Sequence, residues 1–279
     1  MKNRSIFAVA VLIAGSAFLI AQPPAGAPAG AGKGAPGAKG APGAAKGKGK
    51  AAAYAPPEGP APKLANGKPS MNGVWQRPFT QNMEQAYSQA NGGATLPYTV
   101  WGKQQWDSYD AEKGDYTGSC LPFGHNRSIN GPDPVQFIQT DDQFGFLYEQ
   151  NDWFKVLPTD GRAHNPRKVA TWYGDSIGHY EGDTLVIVTK NFNGLTKLDT
   201  SGHPHSDQMV LTEKFARTDL GHIDYEFLID DPKTYTKPWG GKRTFTLRTD
   251  WQIQEYSCEE NNKGFFEGRV KAPEYMKQP

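Results

Sequence analysis

The chain has 279 residues, with 30 Lys and Arg against 29 Asp and Glu, for a net charge of +1. That charge is unevenly placed: residues 22–70 carry seven Lys and one Glu, so with Lys2 and Arg4 set aside residues 71–279 stand at about −7. An acidic main domain excludes nucleic acid as a partner, and no stretch beyond residue 21 is apolar enough to cross a membrane as a helix.

Residues 1–21 read as a secretory signal peptide. Lys2 and Arg4 precede an uncharged run from Ile6 to Ala21, and small-x-small sites follow at Gly15-Ser16-Ala17 and Ala25-Gly26-Ala27. The run is shorter than the roughly 20 residues that a membrane-spanning helix needs, which favours cleavage over anchoring. Residues 22–70 are almost wholly Ala, Gly, Pro and Lys. Such a segment buries too little apolar surface to offset its ordering entropy, so it is expected to be a disordered tether. Its lysines suit an anionic cell-envelope surface, or simply keep the tether solvated.

Residues 71–279 form one expected domain. Gln81–Gln89 is the best helical segment, and it is short. Strands are predicted at Val135–Gln139, Phe144–Glu149, Trp153–Leu157, Lys168–Tyr173, Thr184–Thr189, Gln208–Arg217, His222–Asp230 and Thr244–Trp251. The alternation is clearest in His222–Asp230, where Ile223, Tyr225, Phe227 and Ile229 share one face. Thr184–Thr189 is apolar on both faces. Polar and Gly-containing turns separate these runs, among them Glu181-Gly182-Asp183. The pattern predicts an all-β fold, an antiparallel up-and-down barrel. Gly73-Val74-Trp75 resembles the Gly-x-Trp that opens lipocalin-like barrels. Cys120 and Cys258 are the only two cysteines and read first as a disulfide.

Candidate chemistry concentrates between Thr159 and Asp207, which holds four of the six histidines. His203-Pro204-His205 places two imidazoles two residues apart, on one side of an extended segment, where both could bind one transition metal such as zinc. His164, His179, Glu181 or Asp207 could complete such a set; the plain alternative is a polar turn. In the metal reading His203, His205 and His164 hold the ion, and Glu181, with His179 beside it, supplies the general base. Arg162 could grip a carboxylate, or tie its own turn to a neighbouring acid. Trp172 and Tyr180 are candidate walls of a ligand pocket. Gly174-Asp175-Ser176-Ile177-Gly178 has the letters of a nucleophile elbow, but residues 179–185 read as a hairpin rather than a helix, so Ser176 is expected in a turn.

The strings WYGDSIGHYEGDTLVIVTKNFN, GHPHSD, DDPKTYTKPW and EYSCEENN, in that order, resemble a family of exported β-rich proteins common in Acidobacteria. Its members carry DGRxHP, WxGxSxGxWEGDTLVV, PHSE, DPxxYTxPW and EYxCHExN. The resemblance covers about residues 115–265. Tyr180, Lys190 and Glu259 depart from it, and Glu259 replaces the histidine of CHE, so a site built on that histidine does not carry over. The resemblance implies an exported bacterial domain, periplasmic or secreted, and brings no reaction with it. The leading expectation is a barrel that binds a small molecule in its interior. The competing one is a metal-assisted hydrolase or lyase acting on carbohydrate or another polymer-derived substrate.

Overall fold

The computed structural model describes residues 53–110, 115–166 and 169–260. The leader at 1–21 and the linker as far as residue 52 lie outside them. Nine strands form one antiparallel sheet: β1 (Gly73–Gln76), β2 (Val135–Gln139), β3 (Gln143–Tyr148), β4 (Phe154–Pro158), β5 (Asp175–Glu181), β6 (Thr184–Lys190), β7 (Val210–Arg217), β8 (His222–Asp230) and β9 (Trp239–Leu247). β1 to β4 make one meander and β5 to β9 another, and β9 returns to pair with β1. The result is a nearly closed up-and-down barrel. Its seam lies between β4 and β5, which follow each other in sequence. There Gly161 N–H donates to Gly178 C=O over 2.9 Å. Gly178 admits this approach, because a Cβ on it would stand 3.1 Å from Leu157 and 3.2 Å from Thr159.

Period two places the side chains as the sequence implies. Ile223, Tyr225, Phe227 and Ile229 are buried, while Asp224 and Glu226 face outward. Inside, aromatic rings interlock: Phe144 meets Phe146 at 4.9 Å between centroids, Phe137 meets Phe144 at 5.1 Å, and Phe215 meets Tyr225 at 4.9 Å. These are ordinary tilted or edge-on separations. The interior between these strands is therefore filled by side chains, as expected where a small barrel is just wide enough to hold them. The strand number is nine, against eight in the lipocalins.

Three segments differ from their sequence reading. Residues 175–181 form β5 instead of a turn. The turn comes earlier, at Gly174 with φ +70°, where a Cβ would press Thr189 at 2.6 Å. Lys168–Tyr173 is not a strand in its described part; Thr171 makes one isolated parallel bridge, to Phe192. β9 begins at Trp239 and stops at Leu247, ahead of the expected span. Its Gly240-Gly241 opening hid it, yet Gly241 is where the Phe227 ring packs, 2.9 Å from a hypothetical Cβ.

Residues 53–70 lie within the compositional linker and nevertheless bond to the barrel. Tyr54 donates its hydroxyl to Leu247 C=O at 2.7 Å, Leu220 N–H donates to Gly59 C=O at 2.9 Å, and Lys68 Nζ donates to Gly182 C=O at 3.0 Å. Backbone bonding to strand ends compensates here for a scarcity of apolar side chains.

Candidate functional site

One end of the barrel is covered by helices α1 (Met83–Ala90) and α2 (Val100–Asp107), a short helix α3 (His125–Asn130) and the connection between β6 and β7. This end is buried and unusually polar. All six residues of α3 are buried, although only Ile129 is apolar. Gly124 brings α3 in at φ +77°, against Thr196 at 2.6 Å from where a Cβ would be. From the β6–β7 connection Thr196, Asp199, His203, His205 and Ser206 are also buried.

Asp199 organises the site. Asn82 caps α1 by accepting from Gln85 N–H, and the first helical N–H, that of Met83, donates to Asp199 Oδ2 at 2.6 Å. A carboxylate at a helix N-terminus is favoured by the unsatisfied N–H groups and the helix dipole. The other oxygen accepts from the N–H groups of Gly202 and His203, at 3.0 and 3.2 Å. The His203 ring then donates Nδ1–H to Asp199 Oδ2 at 2.6 Å. This bond places a ring proton on Nδ1 and turns Nε2 to the other side.

His203 is 0% exposed and its Nε2 has no hydrogen-bond partner. The nearest acid is Glu84, whose Oε2 stands 3.6 Å away, outside hydrogen-bond reach. Trp106 of α2 stacks flat on the imidazole, with centroids 4.0 Å apart and planes 13° from parallel. Trp106 also lines an open cleft of about 780 Å³ with Gln81, Asn82 and Tyr109. Tyr98 adds a second buried polar atom, its hydroxyl, without a hydrogen-bond partner. Burial, then Glu84 and Asp199, raise its pKa well above the usual phenol value, so it remains a donor. The Tyr98 hydroxyl and His203 Nε2 are thus two buried polar atoms without a hydrogen-bond partner. Unsatisfied groups of this kind cost free energy and call for an occupant.

The three histidines expected to share a metal have separate surroundings. His205 donates Nδ1–H to Ser206 C=O at 3.1 Å and accepts at Nε2 from Thr196 Oγ at 2.7 Å, so both nitrogens are used by a neutral ring. Burial pulls it down to about 4. His164 faces Asp175 at 3.1 Å through Nδ1. Among the described residues no three His, Cys, Asp or Glu side chains are arranged to hold one ion.

His179 and Glu181 do come together, at 3.4 Å, on the exposed end of β5. Glu181 is held below its ordinary range by Lys214 first and His179 second. Arg162 follows the plain alternative: it forks onto Asp160 at 2.9 and 2.6 Å, both residues being exposed, and holds that carboxyl at about 2. Tyr180 donates to Pro69 C=O at 3.3 Å and also bonds Gln139, while Trp172 packs against the core. Ser176 lies in a strand, bonded to Thr189 at 2.8 Å, and has none of the geometry of an elbow. Cys120 and Cys258 are joined, with Cα atoms 5.5 Å apart.

A second polar group is sealed within the barrel. Glu213 and His125, both with wholly buried side chains, meet at 2.8 Å. Tyr225 donates to Glu213 at 2.9 Å, and the Tyr148 hydroxyl lies 2.8 Å from His125 Nδ1. One assignment satisfies every atom: Tyr148 donates to a neutral imidazole, which donates from Nε2 to an ionised Glu213. The pKa directions agree. Burial pushes His125 down, and for Glu213 burial is outweighed by His125, Lys155 and Tyr225, so the carboxyl lies below its usual value.

Sequence reasoning found His203 but missed Asp199, Glu84, Tyr98, Trp106 and the His125–Glu213 pair. Two signals were present: Asp199 precedes His203 by four residues, and Glu213 occupies the apolar face of β7 between Leu211 and Phe215. No protein-family model, curated protein or solved structure matches the chain.

Proposed function

We propose that the protein is an exported barrel that binds a small molecule at its helix-covered end, with His203 as the recognition group. The observation that carries this reading is the fully buried Nε2 of His203, which has no hydrogen-bond partner and only Glu84 Oε2 near it, at 3.6 Å. The ring-filled interior argues for moving the ligand from between the strands to this end. Trp106 offers an aromatic face toward the adjoining cleft, and Tyr98 a donor. The lipocalin-like character lies in architecture, which supports binding only by analogy. Export is supported by the Lys2/Arg4 leader pattern, by the resemblance to exported bacterial proteins and by the Cys120–Cys258 bond. Among the described residues no helix is long and apolar enough to cross a membrane.

One observation favours the metal-assisted hydrolase reading. Two donors about 2.0–2.1 Å from a tetrahedral zinc lie roughly 3.4 Å apart, and His203 Nε2 and Glu84 Oε2 are 3.6 Å apart. Asp199 behind the ring is the usual outer partner of a ligating histidine. His203 and Glu84 replace the expected set of three histidines in this version.

Both readings are tested by making the chain in an oxidising compartment, then measuring metals by elemental mass spectrometry and released organic molecules by chromatography. A stoichiometric organic molecule lost in His203→Asn supports the binding reading. Stoichiometric metal lost in both His203→Asn and Glu84→Gln supports the hydrolase. Neither metal nor organic molecule in the unaltered protein would overturn both.

A further inference from the structure

The connection after β1, the 3-10 turn before α3 and the turn between β3 and β4 enclose a second cleft, of about 340 Å³. It is lined by Arg127, Gly131, Gln150, Asn151, Phe79 and Tyr256. Some of the polar atoms at this cleft have no hydrogen-bond partner. Arg127 is 6% exposed and forks both terminal nitrogens onto Asp115, at 3.1 and 2.9 Å, but its Nε has no partner. Neither the Asn151 amide nitrogen nor its oxygen has one. Ser119, next to the cleft-lining Gly118, has an unpartnered hydroxyl.

Directly behind Gly131 lies Arg77, 2% exposed. Its Nε donates to Gly131 C=O at 3.1 Å and the guanidinium lies 5.9 Å over the Tyr148 ring, while Nη1 and Nη2 have no hydrogen-bond partner. Arg77 does not itself line the cleft, but its Nη2 and Gln150 Oε1 each lie 3.3 Å from where a Cβ on the lining Gly131 would stand. Burial pulls Arg77 down to about 10, opposed by Tyr148, Asp133 and Glu149, so it remains a cation near neutrality. Asp133 and Glu149 act on it through space without bonding it. A buried guanidinium with two idle nitrogens is costly to leave unmatched.

The unused donors outnumber the unused acceptors. Arg77 offers two nitrogens in a planar fork, Arg127 one and Asn151 one; the acceptors are the Asn151 carbonyl and the Ser119 hydroxyl. A planar fork matches a carboxylate. A side-chain amide and a hydroxyl suit a polyhydroxylated body, and the half-exposed rings of Phe79 and Tyr256 suit the apolar face of a sugar. We infer that this cleft is a binding site for a sugar acid, with Arg77 receiving the carboxylate and Asn151 the ring hydroxyls. Tyr256 is held at the cleft by its N–H bond to Asp152 at 3.1 Å and by the Cys120–Cys258 bond two residues on. The disulfide is therefore part of the site's construction. The inference is independent of the His203 reading, because it uses none of the same groups.

The test is calorimetric titration of the full chain with glucuronate, and with glucose as the uncharged control. Binding of glucuronate with at least tenfold preference over glucose, weakened at least tenfold by Asn151→Gly, is the expected result. Gly is chosen because Asn151 has φ +62° and Gly keeps that backbone without strain. Gly131→Ala, at an ordinary φ of −70°, narrows the approach to Arg77 and is expected to weaken binding as well. Reduction of the disulfide should lower affinity while circular dichroism reports an intact barrel. Equal binding of glucose, absence of glucuronate binding, or affinity unchanged in both variants would overturn the inference.

Discussion

His203 hydrogen-bonds Asp199 through Nδ1 across 2.6 Å, while on the other side of the same ring the buried Nε2 has no hydrogen-bond partner and stands 3.6 Å from Glu84 Oε2. Asp199 accepts three further N–H groups, including the first of α1, so ring, helix and connection form one rigid unit. The imidazole is held in a fixed orientation with Nε2 presented, as a recognition group requires.

Asp199→Asn is expected to disturb the ring before the fold. The amide cannot accept from all four donors, and one of its nitrogen protons would face the N–H groups of Met83 or His203. A stability loss on the order of 2–3 kcal/mol is predicted, the cost of leaving buried donors unmatched. Urea unfolding with an unchanged slope would register it, and occupancy of the His203 site should fall in parallel.

The sealed pair inside the barrel gives a prediction about stability alone. His125→Ala removes the donor facing Glu213 and leaves a buried carboxylate braced chiefly by Tyr225 and Lys155. Removing the donor to a buried carboxylate costs on the order of 2–3 kcal/mol. Chemical denaturation of His125→Ala should show a loss in that range, and a loss below about 1 kcal/mol would mean that Glu213 is not ionised as assigned.

The same barrel should weaken with mild acid. His205 is held at about 4 in the fold, below its ordinary value near 6.5, and His125 is shifted in the same direction. As pH falls from about 6.5 toward 4, the unfolded chain takes up protons that the folded one refuses, so stability is present above this window and lost within it. The His205 share is on the order of 3 kcal/mol. Unfolding free energies at pH 7 and pH 4.5 should differ visibly, and His205→Gln should flatten the dependence. The depressed carboxyls of Glu213 and Asp115 weaken the fold only at lower pH, as they protonate below their ordinary range.

The barrel was legible because alternation is a local property. β2, β3, β6, β7 and β8 fall within a residue or two of their predicted spans. β5 was not, because glycines at 174, 178 and 182 imitate a turn; the second of them serves close approach across the seam. The helix-covered end was illegible for a different reason. Asp199 reads as a loop acid and α3 as a polar linker, and only three-dimensional closure shows that both are buried. The i, i+2 spacing of His203 and His205 predicted a shared ion, yet each ring is claimed by its own neighbours. The spacing fixes proximity along the backbone and says nothing of those partners.

The most direct measurement of the central claim is a long-range proton–nitrogen NMR spectrum of the imidazoles. It would be recorded on the protein as purified from an oxidising compartment, and again after unfolding, dialysis and refolding with the disulfide intact. The account predicts His203 in the Nδ1–H tautomer in both samples, with its Nε2 resonance displaced only where the ligand remains. An Nε2 resonance identical in the two samples, or a His203 ring protonated at Nε2, would contradict it.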